Sequence, residues 1–368
     1  MALERSRMQA VRLVLGAFVL MVTSCSAGPS ASPSGLSERA DEPATTTPLT
    51  ESSVTELPVA AAQPSAGPPT DQPTQEAGPT PSAASPTPSV PAQIAAPNGR
   101  ITPQVAATAT GLAQQIAQAE RGLLADGATP AELAVWGHQH QVAIRKLGYE
   151  PDWDTEFFEA LPSEFQARTL LHVSARRSLI DLSSGYDAAD FIPAWQIIDP
   201  EPADALLSYY QQAEAATGIE WEYLAAINLI ETGMGRIRGL SSAGAQGPMQ
   251  FLPTTWDEAG IGQGDINNPQ DAINGAARYL VRRGGPGDMS GAIWGYNNSD
   301  DYVSAVQAYA ALLRQDPAAY AAIYNWEIYF YTEAGDVWLP AGFRTDEVID
   351  LTDFLAANPW SAPDPGLR

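Results

Sequence analysis

One cysteine, Cys25, occurs in the whole chain, so no disulfide can form within it. There are three histidines, His138, His140 and His172, and no HExxH pattern. Without a second cysteine these leave no zinc-site signature, and neither a metal nor a cofactor is expected. His138 and His140 read as a partly exposed helix surface. Basic residues are scarce: 19 Lys and Arg stand against 43 Asp and Glu, for a formal charge of −24. Nucleic acid needs a basic face, as does adsorption to anionic lipid, so neither is an expected partner. A glycine-rich phosphate loop, βαβ alternation and internal repeats are also missing, which removes support for nucleotide chemistry. The apolar run Leu13 to Val22 is too short to span a bilayer.

What is present starts with residues 1–25, which read as an export signal. Arg5, Arg7 and Arg12 precede the short apolar run, which ends in Val22-Thr23-Ser24-Cys25. This ending resembles the lipobox of bacterial lipoproteins. The resemblance implies cleavage before Cys25, a diacylglycerol on its thiol, and attachment to a membrane facing the cell wall. Residues 26–100 are dominated by Pro, Ser, Thr and Ala and cannot offset the entropy of folding. They read as a disordered tether, spanning about 50 Å as a coil.

From Ile101 the composition changes, and a mainly α fold is expected. Leu112, Ile116, Ala119 and Leu123 recur at helical spacing, and Gly127 stops that helix. Thr129-Pro130 caps a second helix running to about Leu147, and residues 154–183 read as more helix, broken at Leu161-Pro162-Ser163. Residues 101–192 are taken as a helical N-terminal stem. Residues 193–360 are taken as a catalytic domain, with helices expected over 203–217, 219–232, 254–259, 270–283, 290–294 and 301–314. The stretch 326–339 crowds apolar and aromatic residues around Glu333-Ala334-Gly335-Asp336 and reads as a small C-terminal β-hairpin.

Glu231 is the candidate catalytic group. On the helix 219–232 it shares a face with Leu224, Ile227 and Asn228, so it leans toward the core. Burial there raises a carboxyl's pKa, as a general acid working near neutrality requires. Glycoside cleavage by two carboxylates needs a second acid across the cleft. Glu258, Asp265, Asp271, Asp300 and Asp301 are the candidates, and none lies in a comparably apolar context; Asp300-Asp301 reads as a helix cap. A single acid suffices when the substrate supplies its own nucleophile. Trp256, Trp294, Trp326 and Trp338, with Tyr324, Tyr329 and Tyr331, serve either as sugar-stacking platforms or as packing for the hairpin.

Glu231-Thr232, Gly247-Pro248-Met249-Gln250 and Gly295-Tyr296-Asn297 resemble, in order and spacing, the three signature motifs of lytic transglycosylases of the lysozyme superfamily. Those usually read Glu-Ser, Gly-Leu-Met-Gln and Ala-Tyr-Asn. The resemblance covers about 203–314, and GPMQFLPTTW and DAINGAARYL look closer to the membrane-bound type-B branch. It implies a lysozyme-like helical domain that cleaves peptidoglycan strands between N-acetylmuramic acid and N-acetylglucosamine. In that scheme Glu231 is acid then base, the muramoyl C6 hydroxyl attacks, and a 1,6-anhydro end forms without water. Thr232, Met249, Gln250, Tyr296 and Asn297 would bind substrate, with the Tyr296 hydroxyl near Glu231 or the sugar. The partner is then the glycan strand, and a monomer is expected. A hydrolytic muramidase and a non-catalytic wall-binding lipoprotein are the alternatives.

Overall fold

A computed structural model describes residues 94–367. The signal segment, Cys25 and most of the tether lie outside the described residues. Helices α1 (Ala109–Leu123), α2 (Pro130–Tyr149), α3 (Asp154–Ala160) and α4 (Ser163–Ser184) come first. Leu112, Ile116, Ala119 and Leu123 all turn inward, as their spacing requires. Thr129 starts α2 with a capping box: its hydroxyl accepts from Glu132 N, and the Glu132 carboxylate accepts from Thr129 N at 2.8 Å.

Short strands β1 (Phe191–Ile192) and β2 (Gln196–Ile197) follow, then α5 (Ala203–Thr217) and α6 (Trp221–Thr232). Strand β3 (Ile237–Arg238) precedes α7 (Pro253–Trp256), α8 (Pro269–Arg282), α9 (Met289–Tyr296), α10 (Asp300–Gln315) and α11 (Ala319–Tyr324). The chain then forms β4 (Ile328–Thr332), β5 (Gly335–Leu339), β6 (Ile349–Asp350) and α12 (Leu351–Ala357). The expected hairpin is β4–β5, antiparallel, with Ile328 opposite Leu339 and Thr332 opposite Gly335 across a Glu333-Ala334 turn. Two further antiparallel pairs, β1–β6 and β2–β3, join segments far apart in sequence.

One apolar cluster runs unbroken from Leu112, Leu147 and Val173 in the first four helices to Leu224, Leu280 and Leu313 in the later ones. Helix α10 packs along both α4 and α6. A second cluster, including Ile192, Trp195, Ile237, Phe330, Val337 and Phe354, lies under the hairpin.

Three expectations need correction. Residues 94–100 do not belong to a disordered tether: Ala96 is buried against Tyr329 and Trp338, and Arg100 pairs with Glu327 and donates to Ala134 O at 2.9 Å. His138 and His140 are buried, not partly exposed. His138 Nε2 lies 2.7 Å from the Tyr329 hydroxyl, and its ring packs on Trp338. His140 packs against His172 and Trp326. Trp326 Nε1 donates to His140 Nδ1 at 3.3 Å, which puts the ring proton on Nε2, toward Glu120. Finally, the residue capping α10 is Ser299, whose hydroxyl accepts from Tyr302 N; Asp300 and Asp301 occupy the first turn instead.

Candidate active site

Helix α6 ends abruptly one residue after Glu231. Gly233 has φ +60°, and its N–H returns to Leu229 O at 2.9 Å, the left-handed closure that a residue without Cβ accepts most easily. Met234 follows at φ +66°, unusual for a residue with a side chain, and is held there by complete burial. Farther on, Gln246 and Phe251 exchange both backbone hydrogen bonds, so Gly247-Pro248-Met249-Gln250 forms a tight turn. Gly247 sits at φ +72°, and a Cβ there would lie 1.9 Å from Ile266 O. Only glycine fits that approach.

This turn is tied to the Glu231 helix from beneath. Thr232 donates to Pro248 O at 2.6 Å, and Asn228 Nδ2 donates to the same oxygen at 2.7 Å. Asn228 Oδ1 accepts from the Tyr210 hydroxyl at 2.6 Å, and Thr232 Oγ1 accepts from Gly235 N at 3.0 Å. Every polar atom in this knot has a partner supplied by the loop or helix it holds. On the other side, the Tyr296 hydroxyl donates to Met249 O at 2.6 Å. The three motifs therefore meet through backbone carbonyls of the middle one.

Glu231 is 3% exposed and, among the described residues, lies in no ion pair. The other buried acids are matched by arginine: Glu120 by Arg168, Glu327 by Arg100, Asp336 by Arg145. Glu231 has only a phenol, the Tyr302 hydroxyl, which donates to its Oε1 at 2.6 Å. Burial without a counter-charge pushes its pKa up to about 8, and the Tyr302 hydrogen bond acts in the opposite direction by favouring the ionised form. At neutral pH such a carboxyl keeps its proton and can donate it. Burial also pushes the phenols of Tyr296 and Tyr302 well above their ordinary range, so both remain donors.

The structure brings Glu231, Thr232, Met249, Gln250, Tyr296 and Asn297 into one buried region, yet several have roles other than the expected ones. Tyr296 lies within electrostatic reach of Glu231, but its hydroxyl donates to Met249 O and not to the carboxyl. The hydroxyl bonded to Glu231 is that of Tyr302, which α10 brings against α6. Thr232 and the Met249 side chain are fully buried, so they support the turn and offer no surface to a ligand. Gln250, at φ +48°, donates from Nε2 to Gly247 O at 2.9 Å, bracing its own turn. Asn297 is buried at the end of α9. Of the second-acid candidates, none is buried. Glu258 pairs with Arg282 at 2.8 Å, and Asp271 Oδ2 accepts from Asp265 N at 2.9 Å. Among the aromatics, Trp326, Trp338 and Tyr329 are packed inside, whereas Trp294 is 46% exposed beside the third motif.

Residues 208–315 match the family model described as the transglycosylase SLT domain, in keeping with the lysozyme-like, mainly helical fold of this segment. The membrane-bound lytic murein transglycosylase F of Thiobacillus denitrificans (strain ATCC 25259 / T1) is 28% identical over 132 residues, covering 34% of this chain and 27% of that relative. The chain thus matches about a quarter of that relative's length. No solved structure gives a significant match.

Proposed function

We propose that this SLT domain is a peptidoglycan lytic transglycosylase in which Glu231 acts alone, first as acid and then as base. The observation that carries the reading is the buried Glu231 carboxyl, which has no counter-cation among the described residues and a proton retained to about pH 8. In the first step Glu231 donates its proton to the glycosidic oxygen as the bond from muramoyl C1 breaks. The resulting carboxylate is held by the Tyr302 hydroxyl. It then accepts the proton of the C6 hydroxyl as that oxygen bonds to C1. The products are a 1,6-anhydro end and a free hydroxyl on the departing sugar, and no water is consumed. A water-excluding environment favours this intramolecular attack over hydrolysis. Thr232 and Asn228 position the middle motif, the buried Gln250 and Asn297 are proposed to meet the sugar as it enters, and the exposed face of Trp294 is proposed as a stacking surface.

The name of the relative places that protein at a membrane, and a cell-envelope location facing the wall is proposed here as well. Among the described residues no helix is long and apolar enough to cross a membrane. Attachment would come from a lipid on Cys25, and the protein would act as a monomer.

The test is digestion of purified peptidoglycan by the full chain and by Glu231→Gln, followed by mass spectrometry. Anhydro-ended fragments, lighter by one water than reducing ends, are expected from the wild type, with none from the variant. Reducing ends would assign a hydrolytic muramidase instead. Equal release by both proteins would remove Glu231 from the chemistry.

A further inference from the structure

Away from Glu231, two cavities meet at a pair of buried guanidiniums. The larger spans about 610 Å³, partly open to solvent, between α2, α4, α10 and the hairpin, reaching Leu229 and Ile230 of α6. The smaller, about 450 Å³, is bounded by Tyr149, Ile180, Ser183, Ser184, Tyr331 and Asp336. Arg145 and Arg176 line both.

The charges in this region do not balance. Arg145 donates from Nε to Asp336 Oδ2 at 3.1 Å and contacts the same oxygen through Nη2. Arg176 Nη2 lies 3.6 Å from that same oxygen and donates to the Tyr149 hydroxyl at 3.0 Å. Two buried cations therefore share one carboxylate oxygen. Glu327, across the larger cavity, is matched by Arg100. Arg176 Nε is buried with no hydrogen-bond partner. A buried cation with an orphaned N–H is costly as pure architecture, since a neutral side chain of similar volume would pack there without the desolvation.

We propose that the smaller cavity binds a monocarboxylate with an apolar body, its head on Arg176 and its body against Ile180, Tyr149 and Tyr331. A carboxylate supplies the one negative charge that is missing beside the Arg176 guanidinium. A phosphate dianion would overshoot that charge beside Asp336. The rim hydroxyls of Ser183 and Ser184 already donate to Leu179 O and Asp181 O, each at 2.7 Å, so they add no donors for a larger anionic head. The site is independent of the chemistry at Glu231.

Benzoate is the probe, and benzamide, of nearly the same shape without the charge, is its control. Calorimetric titration of the full chain at constant ionic strength is expected to give saturable one-to-one binding of benzoate and none of benzamide. Arg176→Gln is expected to weaken benzoate at least about tenfold. Ser184→Glu places a carboxylate at the exposed mouth without disturbing the interior, and it is expected to weaken benzoate by about tenfold as well. If Arg176→Gln fails to fold, the Ser184→Glu titration decides. Absence of saturable benzoate binding, equal binding of benzamide, or undiminished affinity in Ser184→Glu would each overturn the proposal.

Discussion

Replacing Glu231 with glutamine removes a titrating group but keeps a carbonyl oxygen for Tyr302, so the change in stability isolates what it takes to charge this site. A carboxyl moved from the ordinary 4.5 to about 8 keeps its proton in the folded chain after the unfolded chain has released it. Below pH 4.5 both states hold the proton and the ionisation has no effect. Between pH 4.5 and 8 only the unfolded state gives it up, so the wild type loses about 1.4 kcal/mol for each pH unit. That amounts to about 3 kcal/mol at pH 7, levelling off near 5 kcal/mol above pH 8, roughly. Urea unfolding of wild type and Glu231→Gln at pH 5, 6, 7 and 8 reads the difference directly. The variant is expected to be the more stable by about 3 kcal/mol at pH 7, with the gap closing as the pH falls toward 4.5. A gap that does not change with pH, or a wild type more stable than the variant at pH 8, would refute the argument that Glu231 is held uncharged by burial.

Tyr302→Phe removes the hydrogen bond that favours ionised Glu231, so the alkaline limb of the pH–rate profile should move from about pH 8 to higher pH while the maximal rate falls roughly tenfold or more; a limb that stays put would mean that another group sets it. Thr232→Val takes one of two donors from Pro248 O, leaving Asn228 Nδ2, and removes the acceptor of Gly235 N; it should lower stability by about 1–3 kcal/mol in denaturant titrations, whereas Thr232→Ser should restore most of it.

Much of the fold follows from local rules visible in the chain. The spacing of Leu112, Ile116, Ala119 and Leu123, the cap at Thr129, and the turn at Gly335 amid crowded apolar and aromatic residues are each decided within a few residues of themselves. The missed features all depend on distant partners. Strand β1 is two residues long and pairs with β6 across more than a hundred residues of chain, so no local pattern marks either. The segment Gly137-His138-Gln139-His140 looks polar, and its histidines are inside only because Trp326 and Trp338 arrive from the hairpin region. Glu231 was readable because its own helix supplies the apolar face. Its phenol partner was not, since Tyr296 and Tyr302 lie six residues apart and only the packing of α10 against α6 chooses between them.

The position of α10 bears on what the smallest working piece of this molecule can be. Tyr302 stands in its first turn, and the helix packs against both α6, which carries the acid, and α4, which lies far upstream of the family-matched segment 208–315. Excising that segment would leave one flank of α10 bare and free to roll, taking the phenol off the carboxyl with it. The matched block therefore omits a helix that α10 packs against, and a fragment designed to keep Tyr302 on station should include α4.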